Sequence, residues 1–235
     1  LTEIGGWRED RSYLPWSYDQ HPVKENKPKY GGFYTQEEIK EIVNYAADKN
    51  ITIVPEIDIP GHSWAALYAF PHLSCAGTPF FKDPDIPFEF TDPFCAGNEE
   101  TYQFLENVFE EVIELFPSTY IHLGGDEAKK EPWKECPNCQ ALMKREAIED
   151  VHHLQTYFIQ RIGKFIQSKG RKYIGWDEIL EGGLPEGAAV MSWRGEEGGI
   201  TAAQAHREVV MVPSHTLYFN SAQFDPTLEE KAGGR

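Results

Sequence analysis

Tyr120-Ile121-His122-Leu123-Gly124-Gly125-Asp126-Glu127 is a short apolar run that breaks at two glycines and ends in two acids. Bounded in this way it predicts a buried strand, and the glycines predict an irregular exit from it. The same kind of unit recurs outward in both directions. Upstream, residues 99–116 set Tyr102, Leu105, Val108, Phe109, Val112 and Ile113 at helical spacing. Before that, Ile51-Thr52-Ile53-Val54-Pro55-Glu56-Ile57-Asp58 is a β-branched run, predicted as a buried strand that ends at Pro60-Gly61-His62. Thr35-Gln36-Glu37-Glu38 reads as a capping box that opens a helix running to about Lys49. Downstream, residues 153–169 predict a third long helix closed by Gly170. Strands follow at 172–176, 188–193 and 208–213, with a short helix over 200–206. The first thirty residues, with Gly5-Gly6, Pro15, Pro22, Pro28 and Gly31-Gly32, predict an irregular segment, and residues 70–97 a long loop.

Helices and strands that alternate give a parallel sheet with right-handed crossovers. On the residues alone, that sheet is either open and doubly wound or part of a (β/α) barrel. No GxGxxG follows a strand and no GxxxxGK[ST] occurs, so nucleotide-binding versions are not supported.

The chain has 235 residues, with 38 Asp+Glu against 22 Lys+Arg and a formal net charge of −16. That charge argues against nucleic acid, which requires a basic footprint, and against docking on anionic lipid. No run of about 18 apolar residues predicts a membrane span. The opening residues, from Leu1, have neither the basic start nor the apolar stretch of a signal peptide. Of the four cysteines, Cys75 and Cys95 flank a loop rich in Pro, Gly, Asp and Phe that they could close as a disulfide, which leans toward an exported protein. Cys136-Pro137-Asn138-Cys139 is a single CxxC. Structural zinc usually takes two such pairs or added histidines, so a local disulfide or idle thiols is the favoured reading and no metal is expected.

In open α/β sheets and barrels alike, reacting groups sit at the carboxyl ends of the strands. The ends here carry Asp58 and His62, then Asp126-Glu127, then Trp176-Asp177-Glu178, then Trp193-Arg194, then His215, Tyr218 and Asn220. Carboxylates aimed at hydroxyls, with indoles against an apolar ring face, suit a sugar. A carboxyl pair can also cleave a glycosidic bond. Asp126 and Glu127 are neighbours, however, unlike the usual pair drawn from separate strands. One is therefore expected to transfer the proton and the other to do something else.

His122-Leu123-Gly124-Gly125-Asp126-Glu127 resembles the catalytic motif of the β-N-acetylhexosaminidases, glycoside hydrolase family 20. Gly6-Trp7-Arg8, Tyr30-Gly31-Gly32-Phe33-Tyr34-Thr35, Pro55 through His62, Cys95 through Glu99, Gly175-Trp176-Asp177-Glu178 and Met191 through Gly195 agree in order, so the likeness runs from Leu1 to about Tyr218. The resemblance implies an α/β fold of the (β/α)8 TIM-barrel type, incomplete here, with about strands three to seven present in a single partial domain over 1–235. It implies retaining, substrate-assisted hydrolysis of terminal β-linked N-acetylglucosamine or N-acetylgalactosamine, without cofactor or metal. Glu127 would be the general acid and base, and Asp126 would orient the acetamido group. Tyr218 would bond the acetamido oxygen, while His62 and Asp58 would support Glu127. Trp176, Trp193, Asp177 and Asn220 would bind substrate. The family's usual Asp two residues after the tyrosine is Asn220 here, which brings no charge.

The family's first two strands, with a sugar-clamping arginine, and its eighth, with a further tryptophan and glutamate, have no counterpart in these residues. Open edges and an uncovered face predict self-association or association with the missing barrel segments. The partner expected is an N-acetylhexosamine-containing glycan, and the compartment secreted, periplasmic or lysosomal. Two further readings compete: a sugar-binding remnant of the same fold that has lost turnover, and a glycosidase of another clan with two remote carboxylates.

Overall fold

The computed structural model describes residues 1–10, 29–75 and 92–219. β1 (Trp7–Glu9) and β2 (Lys29–Gly31) pair antiparallel, where composition predicts an irregular segment. α1 (Gln36–Asp48) opens with the expected capping box: Thr35 accepts from the Glu38 N–H, and the Glu38 carboxylate accepts from the Thr35 N–H. After an extended stretch come α2 (Trp64–Ala69) and a single 3₁₀ turn, Pro71–Leu73. α3 (Glu99–Leu115) leads to β3 (Tyr120–His122). Two helices absent from the sequence reading follow, α4 (Glu131–Glu135) and α5 (Pro137–Glu146). α6 (Val151–Ser168) is capped by Asp150, whose carboxylate accepts from the His152 and His153 N–H groups. β4 (Lys172–Trp176), β5 (Ala189–Ser192), α7 (Glu197–Gln204), β6 (Val209–Met211) and α8 (Ser214–Leu217) complete the order.

β3, β4, β5 and β6 form one parallel sheet in chain order, with Tyr120 opposite Lys172, Ile174 opposite Ala189 and Val190 opposite Val209. The stretch before Pro60 lies on the outer side of β3. The Ile57 N–H donates to the His122 carbonyl at 3.0 Å, the His122 N–H to Pro55 at 2.9 Å, and the Ile59 N–H to Leu123 at 3.0 Å. Five segments therefore cross the sheet in sequence order without a reversal. A doubly wound sheet reverses at its switch point and a barrel wall does not, so the alternative left open by the residues resolves to a partial (β/α) barrel.

One expectation needs correcting. Residues 51–58 do not form a regular buried strand. Pairing with β3 reduces to a parallel bridge, Glu56 to His122. Pro55 and Pro60 have no N–H to give to a ladder. Ile51 and Val54 remain 59% and 45% exposed.

The core lies between sheet and helices. α6 packs on β4, α7 on β5 and β6, and α3 on α6. Tyr102, Leu105 and Phe109 of α3 meet Leu154, Phe158, Ile162 and Ile166 of α6 over Ile121, Leu123, Tyr173 and Val190, all fully buried. Each such aliphatic or phenyl side chain contributes roughly 1.5–3 kcal/mol of burial. The helical spacing of the sequence thus does what it predicts. Large apolar side chains left in water include Ile51 and Val54 at the β3 side and Val210 and Met211 of β6 at the other. Among the described residues no helix is long and apolar enough to cross a membrane.

The cysteines match the free-thiol alternative for Cys136 and Cys139 and depart from the bridge suggested for Cys75 and Cys95. All four are free, so neither a Cys75–Cys95 nor a Cys136–Cys139 bridge forms, and their sulfurs gather at one point.

Candidate active site

The two glycines of the opening motif decide where its acids point. Gly124 and Gly125 take φ of +66° and +105°, open to glycine at little cost. A Cβ on Gly124 would overlap the Asp58 carboxylate. The Gly124 N–H donates to His122 Nδ1 and the Gly125 N–H to Asp58 Oδ1, both at 3.0 Å, and Gln155 Nε2 from α6 donates to the Gly125 carbonyl at 2.7 Å. Glu127 is itself left-handed at φ +46°, and so is His62 at +49°. Non-glycine residues held there cost about 1–3 kcal/mol each and persist where their surroundings over-determine them. The outcome is that neighbours which extended backbone would send to opposite faces both turn toward one histidine.

His62 Nε2 lies 3.2 Å from Asp126 Oδ2, 3.5 Å from Glu127 Oε2 and 4.0 Å from Asp58 Oδ2. The hydrogen bond to Asp126 holds the His62 pKa above its usual value, although burial opposes it. Burial would raise Asp126, but hydrogen bonds from His62 and Asp58 prevail and lower it. Asp58 is pushed up to about 9, by burial first and by the Asp126 charge second. The cluster therefore favours a neutral Asp58, an anionic Asp126 and a cationic His62. Asp126 Oδ1 is buried and has no hydrogen-bond partner among the described residues. The Glu127 side chain is half exposed.

The ends of β4 and β5 supply the indoles. Trp176 Nε1 donates to Glu56 Oε1 at 2.9 Å, and its ring lies 4.7 Å from that of His122. Burial pushes His122 down to about 4, so it is a neutral acceptor for Gly124. Trp193 Nε1 donates to Glu178 Oε2 at 2.9 Å, and its ring stacks on Tyr218, with centroids 6.2 Å apart and planes within 14°. The Tyr218 phenol is raised by burial, then by the charges of Asp126, Glu178, Glu127 and Glu56, which places it within electrostatic reach of the acids and keeps its proton on.

Asp58, His62, Asp126 and Glu127 thus converge as expected, with Trp176, Trp193 and Tyr218 around them. Asp177, expected to bind substrate, has its carboxylate held by protein groups. It is buried, its Oδ1 accepts from the Trp193 and Arg194 N–H groups at 2.9 and 3.3 Å, and its Oδ2 takes Arg194 Nε at 2.7 Å. Its carboxylate fixes the β5 exit loop, because a buried anion is stable only when fully paired. Asn220 lies outside the described residues. Sequence reasoning missed Glu56 and Gln155 and gave Glu178 no task. The signal for Glu56 was present: two residues from Asp58, it shares that residue's face of the extended segment. Nothing local marks Gln155, a polar residue on the buried side of α6.

Residues 1–234 match the model of "Glycosyl hydrolase family 20, catalytic domain". The chain is 46% identical over its whole length to a beta-hexosaminidase of Porphyromonas gingivalis, of which it covers 30%. Among solved structures, it resembles a beta-N-acetylhexosaminidase of Bacteroides fragilis, with 39% identity and a TM-score of 0.74, over 85% of this chain and 40% of that one. A Vibrio harveyi exo beta-N-acetylglucosaminidase in complex with N-acetylglucosamine gives 32% identity and a TM-score of 0.77, over 94% and 34%. The chain spans about a third of the length of the curated relatives it matches.

Proposed function

Since the chain belongs to glycosyl hydrolase family 20, we propose that it carries the acid/base and acetamido-orienting part of an exo-β-N-acetylhexosaminidase site. The substrate is a glycan with a terminal, non-reducing, β-linked N-acetylglucosamine or N-acetylgalactosamine. The observation that carries this reading is the division of labour between two adjacent acids: Asp126 partly buried and anionic, with one oxygen buried and unpartnered among the described residues, and Glu127 half exposed beside it. An acceptor left bare in a buried place is costly unless a ligand donor completes it. The acetamido N–H is such a donor.

In the first step Glu127 gives its proton to the glycosidic oxygen while the substrate's acetamido oxygen attacks C1. The C1–O bond breaks and an oxazolinium ring forms, its positive charge held against Asp126. In the second step the Glu127 carboxylate removes a proton from water, the water oxygen attacks C1, and the ring opens to the retained sugar. Tyr218, protonated and near the acids, donates to the acetamido oxygen. Trp193 and Trp176 wall the ring and methyl group.

Glu127→Gln in the full-length protein tests the reading. With a poor leaving group kcat/KM should fall about 10²–10⁴-fold. With a dinitrophenyl leaving group, which departs without a proton, the first step should be largely spared. Equal loss on both substrates, or no loss, would remove Glu127 from the role. A thiazoline analogue that binds tightly without any turnover would favour the sugar-binding remnant instead.

The apolar side chains at the two sheet edges support the association reading. The 235-residue polypeptide alone should elute as an oligomer or co-elute with the remaining barrel segments, and a stable micromolar monomer in light scattering would refute this. A glycan substrate supports a secreted, periplasmic or lysosomal setting. The disulfide that leaned the same way is absent.

A further inference from the structure

We propose that Cys75, Cys95, Cys136 and Cys139 form a closed structural zinc site. Their four sulfurs lie within 4.8 Å of one another. Cys75 to Cys139 is 3.8 Å, and Cys95 is 3.7 Å from both Cys136 and Cys139. In a tetrahedral ZnS4 centre with Zn–S near 2.3 Å, the sulfur–sulfur edge is about 3.8 Å. A disulfide requires about 2.05 Å. Three edges of one tetrahedron are therefore set by side chains from three separate stretches of chain.

The surrounding backbone is shaped for the same end. Ser74 bridges Phe94 in antiparallel fashion, and the Cys95 N–H donates to the Leu73 carbonyl at 2.8 Å, which sets Cys75 beside Cys95 despite the nineteen residues between them. Cys136 stands at the N-cap of α5 and Cys139 in its first turn, where the positive end of a ten-residue helix favours thiolate. The Cys95 loop approaches the CxxC turn so closely that a Cβ on Gly97 would overlap the Asn138 backbone. Trp133, fully buried, ties the same parts through Nε1 to the Phe94 carbonyl at 2.9 Å. Cys95, Cys136 and Cys139 are buried. Four sulfur ligands with little solvent access leave no open coordination position, so the metal would be structural, not catalytic.

The site's place in the fold gives it a task. α4 begins four residues after Glu127, and the CxxC follows α4 directly. Zinc would anchor the far end of the acid-bearing loop to the segment that continues from His62 through α2.

The test uses full-length protein purified without chelator. Elemental analysis should find one zinc per chain, released by p-hydroxymercuribenzoate and read with a pyridylazo-resorcinol dye. Replacement by Co²⁺ should give sulfur-to-cobalt charge-transfer bands in the near ultraviolet and intense tetrahedral d–d bands in the red. Cys136→Ser with Cys139→Ser should bring zinc to zero. If that variant does not fold, the cobalt spectrum of the unmutated protein decides alone. Four titratable thiols with no bound zinc and no cobalt spectrum would overturn the proposal. So would a mass lower by four hydrogens, which means two disulfides, or the visible chromophore of an iron–sulfur centre.

Discussion

The carboxylate cluster and the sulfur cluster are built from the same two parts of the chain, the stretch running on from Pro55 and the stretch running on from β3, yet they are opposites. One sets Asp58, His62 and Asp126 around left-handed residues, partly open to solvent, with charges that differ from neighbour to neighbour. The other draws thiols from two loops and the start of a helix into a nearly closed cluster of one chemical type. By distance alone either could hold a metal. In the first, the mutual hydrogen bonds of Asp58, His62 and Asp126 already account for the geometry, while in the second the sulfurs stand at the spacing that ligands of one ion would take. Strain and mixed protonation mark a place that reacts, and uniform ligands at tetrahedral spacing mark a place that holds.

If that distinction is right, the two clusters should fail in different currencies. The largest effect is expected at the sulfurs. Cys136→Ser with Cys139→Ser should destabilise by more than about 4 kcal/mol, the size seen when a metal or buried network is lost. Thermal denaturation should read this as a steep drop in Tm, while kcat, measured at low temperature on the fraction still folded, changes less than about tenfold. A variant with wild-type Tm and no activity would reverse the comparison.

Asp126→Asn should do the converse. It keeps the shape of the acid but removes the charge that faces His62 and the developing oxazolinium. Activity on N-acetylated substrates should fall about 10²–10³-fold, the loss typical of one oriented electrostatic contact. Tm should move little. Steady-state kinetics on nitrophenyl sugars with and without the acetamido group would separate a specific loss from a general one.

The smallest effect concerns pH. Asp58 keeps its proton in the folded chain up to about 9, whereas an unfolded aspartate releases it near the ordinary carboxylate value. Between those limits the folded state binds the extra proton, so stability is greatest at the acid end and falls as the pH rises. Asn is the neutral isostere of that acid and still accepts from the Gly125 N–H. Asp58→Asn should therefore narrow the Tm difference between pH 5 and pH 8.5, by about 1 kcal/mol or more in stability. A wider difference would show that Asp58 is ionised in the native protein.

The two clusters also differed in how far they could be read from sequence. Asp126, Glu127, His62 and Asp58 were legible because each stands in a short contiguous motif beside a glycine or proline that reshapes the backbone. The left-handed geometry of Glu127 was not legible, since no local rule puts a glutamate there. Cys136-Pro137-Asn138-Cys139 read as a local disulfide or idle thiols, with no metal expected. The other two cysteines are 41 or more residues away in sequence and meet the CxxC only because the Ser74–Phe94 bridge and α5 bring them to one point. The contacts of Asp177 with Trp193 and Arg194 were not legible either, because they span 16 or more residues and depend on burial. Ile51–Asp58 carried its own warning in Pro55, outweighed in the reading by four β-branched residues before it.

By itself the sequence determined the alternation of helix and strand, the Thr35–Glu38 cap, the Asp126-Glu127 turn and the exclusion of a basic nucleic-acid surface. These depend on neighbours within about four residues or on net charge, and both are written in the chain order. Only the tertiary structure decided that the strands run on as a barrel wall without reversing, which acids keep their protons, and that four distant sulfurs share one centre. Those outcomes depend on burial and on through-space distance between segments far apart in the chain, quantities that no local pattern encodes.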